Sequence, residues 1–184
     1  MQVINKRQKI NIDEELFERI QQGDKDAFQD LYEISYRSVY AFLLSLTQNS
    51  EDAHDLMQDT YVQIYKNSHM YKKQGNPMGW IIKIAQNLFY MKCRKDNARQ
   101  FVNYEDIENE IGVSQIEDVD SRMLIEYMFS ELSREDRMIV VMHNVNGFKF
   151  QEIANVLDKP LGTVLARYNR SIRKLQTTFK EMRR

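Results

Sequence analysis

The sequence is poor in the residues that mark disulfides and tight turns. Its 184 residues include one cysteine, two prolines and six glycines. A single cysteine, Cys93, permits no intramolecular disulfide, which is usual for proteins of a reducing compartment. So few glycines and prolines leave little material for the frequent turns of a β-sheet fold. The composition therefore favours a helical protein.

Long apolar runs are also missing. No stretch approaches the 18 consecutive apolar residues typical of a membrane-spanning helix. The first eleven residues are polar and lack the apolar segment of a secretory signal. We therefore expect a cytoplasmic protein with no membrane insertion.

Recognisable catalytic and metal-binding patterns are lacking too. The three histidines, His54, His69 and His143, are scattered and have no ligand spacing. No nucleophile motif, P-loop or dinucleotide fingerprint is present. We expect no catalytic residue, no metal site and no cofactor, so the chain is not predicted to be an enzyme.

Charge is distributed unevenly along a chain whose net charge is only −1. Residues 1–96 are neutral overall, residues 97–120 carry −6, and residues 121–184 carry +5. A strongly basic end on a nearly neutral chain indicates a polyanionic partner such as nucleic acid. The acidic stretch has no sustained helical pattern, and we interpret it as a flexible linker.

Hydrophobic periodicity predicts an all-α fold of two small helical domains, 1–96 and 121–184, joined by the acidic linker 97–120. In the first domain we expect helices over 13–22, over 24–47 as one helix or a pair, from a cap at Ser50 to about Asn67, and from Pro77 onward. In the second domain we expect helices over 121–131, 134–146, 150–158 and 162–181.

The most specific pattern is a helix-turn-helix over 150–169. On a wheel of about 100° per residue, Val164, Tyr168, Ile172, Leu175 and Phe179 fall within an arc of roughly 80°. A small Ala154, a turn with glycine and a basic outer face fit a second helix that enters the DNA major groove. The expected contacts to duplex DNA are Thr163, Leu165, Ala166, Arg167, Asn169, Arg170, Arg173 and Lys174.

Two further surfaces are weaker when taken alone. On the helix from Pro77, a polar stripe with one aromatic side chain fits unpaired nucleic acid, because cations bind phosphate and rings stack on bases. The expected contacts there, with the preceding loop, are Tyr71, Lys72, Lys73, Asn76, Lys83, Gln86, Asn87, Tyr90 and Arg94. The helix from Ser50 has an outward acidic face that holds Val62, which favours a protein partner. For both helices an ordinary solvated face remains an alternative.

Three stretches make the chain resemble the extracytoplasmic-function sigma factors, the smallest members of the bacterial sigma-70 family. "EDAHDLMQDTYVQIYKN" is similar to the part that binds the coiled coil of the polymerase β′ clamp. "NPMGWIIKIAQNLFYMKCRK" is similar to the part that melts and reads the minus-ten element. The segment from Leu132 to Leu175 is similar to the domain that reads the minus-thirty-five element.

The resemblance implies a transcription initiation factor that binds RNA polymerase core enzyme, through β′ and also β, and both double- and single-stranded promoter DNA. It implies core-binding roles for Asp55, Leu56, Gln58, Asp59 and Val62. The linker would occupy a basic polymerase channel or act as a plain tether. Members of this group are commonly held by an anti-sigma factor, and nothing in the sequence identifies one.

The sequence departs from the family pattern at five positions, which are Gln86, Met91, Lys149, Leu165 and Ala166. Lys149 stands where the family commonly has a serine or threonine helix cap. Leu165 and Ala166 lie at the start of the recognition helix, so they leave the promoter sequence open. A rival interpretation is a stand-alone helix-turn-helix regulator whose first domain senses a ligand or dimerises.

Overall fold

The computed structural model describes residues 10–73, 75–99 and 129–182. The helices fall into two compact units, one within residues 11–112 and the other within residues 113–184. All regular secondary structure in the described ranges is helical. The expectation of an all-α chain built from two units is confirmed for those ranges.

Over residues 11–73 and 75–99, the first unit contains four α-helices and one 3₁₀ turn. They are α1 (Glu15–Gln21), α2 (Lys25–Thr47), α3 (Ser50–Asn67), the turn Ser68–Met70, and α4 (Pro77–Arg99). The stretch expected as one helix or a pair is therefore a single helix. Because α4 continues to Arg99, the first residues of the predicted linker are helical. The rest of the linker lies outside the described residues.

Side-chain caps set where these helices begin. The Asp24 carboxylate accepts hydrogen bonds from the backbone N–H groups of Asp26 and Ala27 at 2.9 and 3.1 Å. The cap of α3 is Asn49 and not Ser50, because the Asn49 side chain accepts from the Asp52 N–H at 3.0 Å. Both residue types are good caps, and the expected boundary was wrong by one residue.

The core of the first unit lies between α2, α3 and α4. Its fully buried side chains include Phe42 and Leu43 of α2, Ile64 of α3, and Ile81 and Ile82 of α4. Each large apolar side chain of this kind contributes ~1.5–3 kcal/mol when it leaves water. This packing fixes the outer faces of α3 and α4, which carry the predicted contacts.

The second unit contains α5 (Arg134–Asn144), α6 (Phe150–Leu157) and α7 (Leu161–Met182). Ser133 caps α5 as expected, since its hydroxyl accepts from the Asp136 N–H at 3.3 Å. Lys149 offers no acceptor at the start of α6, and the Glu152 carboxylate instead accepts from the Lys149 N–H at 2.7 Å. Of the helix expected over 121–131, residues 121–128 lie outside the described residues.

Candidate functional site

The helix-turn-helix is formed by α6 and α7. Asp158 adopts a left-handed conformation with φ of 52°, and the Lys159 N–H donates to the Ala154 carbonyl at 2.9 Å. This tight turn brings α7 back across α6, where Ala154 is buried. A larger side chain at Ala154 would force the two helices apart. The burial of Ala154 agrees with the small side chain expected at this position.

The apolar arc predicted on α7 faces the core of its unit. Val164 and Leu175 are buried, and the partly buried Tyr168 and Ile172 pack against a cluster of Leu132, Val140 and Leu175. Leu165 lies at the edge of the arc and is half-buried. The opposite side of α7 is solvent-exposed, and its members are Thr163, Ala166, Asn169, Arg170 and Arg173.

Two of the eight expected duplex contacts pair with carboxylates of their own unit. The Arg167 guanidinium lies 2.7 Å from Glu135 Oε2 and 2.8 Å from Asp136 Oδ1. The hydrogen bond to Asp136 raises the pKa of Arg167. Lys174 pairs with Glu131 at 3.2 Å. Across residues 10–73, 75–99 and 129–182, neither Arg170 nor Arg173 has an ion-pair partner, so these two arginines can bind phosphate without breaking a salt bridge.

The polar stripe predicted on α4 is present. Lys83, Asn87, Tyr90 and Arg94 are all exposed at helical spacing along one side. Gln86 is not part of it, because its side chain is only 6% exposed. Gln86 lies one turn from Ile82 and from Phe89, both buried, so it shares their inward face. Ile84 and Leu88, on a neighbouring side of α4, are only half-buried.

The loop before α4 holds four expected contacts in different settings. The Tyr71 ring stacks on Phe17 with centroids 4.1 Å apart and meets Trp80 edge-on at 5.4 Å. Lys73 pairs with Glu18 of α1 at 2.8 Å, and this hydrogen bond raises the pKa of Lys73. Lys72 is exposed to solvent.

Asn76 caps α4, because its Oδ1 accepts from the Gly79 N–H at 3.0 Å. A Cβ atom at position 79 would lie 2.4 Å from the Asn76 amide nitrogen, so the cap needs glycine there. The fourth expected contact of the loop is thus engaged at the start of the helix.

The outward face of α3 carries the carboxylates Asp55 and Asp59 together with Gln58 and Val62, all exposed. Val62 is 48% exposed, which is unusual for a branched apolar side chain. Leu56 is buried, so it supports this face from beneath and does not lie on it.

An apolar groove of about 360 Å³ adjoins this face, and its wall includes Phe28 and Tyr32 of α2 and Met57, Val62 and Tyr65 of α3. The sequence interpretation did not predict the groove. The sequence does contain a signal for such a groove. Each helix has two aromatic residues four positions apart, at 28 and 32 on α2 and at 61 and 65 on α3, which places each pair on one side of its helix.

Two family models match the chain, sigma-70 region 2 over residues 31–99 and sigma-70 region 4 over residues 122–175. The sigma-E factor of Haemophilus influenzae, an ECF RNA polymerase sigma factor, is 28% identical over 173 residues, which cover 86% of this chain and 90% of that protein. The sigma-E factor of Escherichia coli K12 is 26% identical over 172 residues, with the same coverage. The chain belongs to the extracytoplasmic-function group of the sigma-70 family.

Two solved structures share the fold. The Bartonella quintana sigma factor RpoE, in complex with the anti-sigma factor NepR, superposes with a TM-score of 0.70 at 24% identity, covering 83% of this chain and 96% of that one. CnrH, in complex with the cytosolic domain of CnrY, has a TM-score of 0.67 at 18% identity, covering 93% and 99% of the two chains.

As a member of this family, the protein is a non-enzymatic sigma factor that binds RNA polymerase core enzyme and promoter DNA and directs promoter-specific initiation. The rival interpretation as a stand-alone regulator is therefore set aside. Within the described ranges no helix is long and apolar enough to cross a membrane. The same ranges contain no group of three or more potential ligands that could hold a metal ion.

Proposed function

We propose that three faces of this sigma factor divide the work of initiation. The exposed α3 face binds the β′ clamp of core polymerase, the α4 stripe holds unpaired minus-ten bases, and the outer face of α7 grips the minus-thirty-five duplex. On this proposal the first domain extends from residue 1 to the end of α4, slightly beyond the expected boundary at 96. The second domain begins near residue 121.

The observation that carries the proposal is the pairing pattern of the basic residues of α7. Its apolar arc is buried while Arg170 and Arg173 project into solvent, with Thr163 and Asn169 beside them. Arginines bind phosphate with charge-assisted hydrogen bonds, and short polar side chains read base edges. The face therefore suits a DNA duplex better than a second protein.

The α4 stripe combines the groups that a single strand requires. Lys83 and Arg94 offer positive charge, Asn87 offers an amide, and Tyr90 offers a ring on which a base can stack. The stacking contact can be made only with a base that has left the duplex. Melting is therefore driven by binding energy, and the proposal requires no cofactor or hydrolysis.

The α3 face is suited to a basic helical partner, because two carboxylates flank an exposed apolar side chain next to an apolar groove. The β′ clamp is the partner that the family resemblance assigns to it. Because the core enzyme works in the cytoplasm, we propose the same location for this chain. RpoE is bound to an anti-sigma factor in its structure, and on that likeness the proposed partners include one.

The Asp59→Lys variant tests the α3 assignment. Charge reversal on an exposed residue should leave the helical content unchanged while it reduces retention on immobilised core polymerase and run-off transcription. Glu181→Lys, an equal charge change on an exposed residue of α7, serves as the control and should retain core binding. Equal retention of the wild-type chain and Asp59→Lys would refute the assignment of this face.

A further inference from the structure

Four charged side chains link three elements of the second unit. Glu135 and Asp136 lie in the first turn of α5, Lys159 lies in the turn between α6 and α7, and Arg167 lies on α7. Arg167 contacts both carboxylates at 2.7 and 2.8 Å, and Lys159 contacts Glu135 at 2.9 Å. Residues separated by 31 positions in the sequence are thereby held together.

This network is better built than an ordinary surface ion pair. The four side chains are between 24% and 35% exposed, so water screens them only in part. The Arg167 guanidinium uses both terminal nitrogens, an arrangement that fixes direction as well as distance. The second oxygen of Asp136 accepts from the Ser133 hydroxyl at 2.6 Å, which orients the carboxylate.

Arg167 also lies on a different side of α7 from the solvent-facing arginines. It is one helical turn from Val164 and from Ser171, which are both buried, so it borders the inward arc. Arg170 and Arg173 follow at positions that point away from this arc and are exposed. A side chain held in the Arg167 position points toward α5.

We propose that Arg167 is a positioning residue of the recognition helix and makes no phosphate contact. Glu135 and Asp136 hold α7 through Arg167 and Lys159 in the orientation that presents Arg170 and its neighbours to the duplex. The inference rests on the proposed function of the outer face of α7. It removes one residue from the set of DNA contacts expected from the sequence.

The test uses the full chain and two duplexes of equal length. One is selected by the wild-type chain from a random-sequence pool, and the other is its shuffled sequence. Affinity for both is measured over a range of salt concentrations. The variants are Arg167→Met, the double variant Glu135→Gln/Asp136→Asn, their combination, Arg167→Lys, and Arg170→Met as the matched control. Circular dichroism establishes that all are compared below their unfolding transitions.

Positioning predicts that Arg167→Met lowers the preference for the selected duplex roughly fivefold, the upper value for a partly exposed ion pair. The salt slope should stay at the wild-type value, whereas losing a phosphate contact lowers it by about 0.9. The Glu135→Gln/Asp136→Asn variant should show the same loss of preference. Adding Arg167→Met to it should cause no further loss, because the residues act as one network. Arg167→Lys should regain part of the preference through a single ion pair.

A phosphate contact by Arg167 predicts the opposite signs. In that case Arg167→Met would lower the salt slope and weaken binding to both duplexes alike, and the Glu135→Gln/Asp136→Asn variant would release the guanidinium and raise the slope and the affinity for both. Either result would overturn the inference. Should Arg170→Met leave the slope unchanged, the proposed DNA face itself would fail, which is a separate outcome. If Arg167→Met does not fold, the double variant still decides, because the two hypotheses give it opposite effects.

Discussion

Replacing Tyr90 with alanine should impair promoter melting while docking on duplex DNA continues. Tyr90 is 38% exposed on the α4 stripe, and its ring meets the buried Phe89 edge-on with centroids 5.5 Å apart. The ring is therefore supported from one side and open on the other. Asn87 and Arg94 lie one turn away on the same face, where an unpaired strand would run.

The expected size of the melting defect follows from the loss of one stacking surface, the Tyr90 ring. A base stacked on an aromatic side chain is worth ~1–3 kcal/mol, which corresponds to about a fivefold to 150-fold change in the melting equilibrium. Because so much of the Tyr90 surface is exposed, its removal should change the free energy of unfolding by well under the ~3–5 kcal/mol typical of a buried aromatic residue. A large melting defect in a normally stable variant is the expected signature.

Permanganate oxidation of unpaired thymines measures melting directly, with core polymerase and a promoter that the wild-type chain transcribes. Tyr90→Phe keeps the ring and should open the promoter nearly as well as the wild type. Met91→Ala removes a more exposed neighbouring side chain that has no ring, and it should leave melting unchanged. Binding to closed duplex should be the same for all three variants.

Normal melting by Tyr90→Ala would refute the stacking argument. The α4 stripe would then be a solvated helix face, and capture of minus-ten bases would have to come from the loop before α4. Within that loop Lys72 is the first candidate, since Lys73 pairs with Glu18, Asn76 caps the helix and Tyr71 stacks on Phe17.

Two predictions concern stability. Gly162→Ala meets no atom within 4 Å and should raise the urea stability of the second unit by up to ~1 kcal/mol through helix propensity. Gly79→Ala should leave that of the first unit nearly unchanged, because the new Cβ displaces the Asn76 cap and this loss of ~1 kcal/mol offsets the same propensity gain. An equal gain at both sites would contradict this reasoning. Burial raises the pKa of the Tyr61 hydroxyl, so stability present below the ordinary value of 10.0 should be lost as the pH rises above it. Circular dichroism against pH should show a smaller alkaline loss for Tyr61→Phe, and an equal loss would contradict the attribution.

The sequence was sufficient for most helix boundaries, because local signals set them. Pro77 starts α4, Ser133 caps α5, and Asn67 ends α3 as expected. The start of α3 was missed by one residue because Asn49 and Ser50 are adjacent and both suit a cap. That choice depends on the turn in which the Thr47 hydroxyl donates to the Asn49 carbonyl at 2.9 Å.

The site was harder to predict because tertiary contacts decide which charges and faces remain available. The periodicity of α7 places Arg167 nearer the inward arc than Arg170, but it does not reveal the ion pairs, because the carboxylates that bind Arg167 lie about thirty positions earlier. Gln86 was misplaced because α4 is apolar on more than one side. The buried side is set by packing against the other helices of the unit, which a helical wheel does not contain.

These pairings also bear on why such a chain acts together with polymerase. The second unit carries +5 over residues 121–184, yet Lys159, Arg167 and Lys174 are matched by carboxylates of that unit. On the proposed DNA face, Arg170 and Arg173 are then the cations open to phosphate, and two contacts give a salt slope of only about 1.8. Proteins that bind duplex DNA strongly by themselves use several times as many phosphate contacts. The arrangement therefore suits a recognition helix that binds DNA weakly by itself. Its binding becomes effective when the core enzyme, bound to the α3 face, brings α7 close to the promoter.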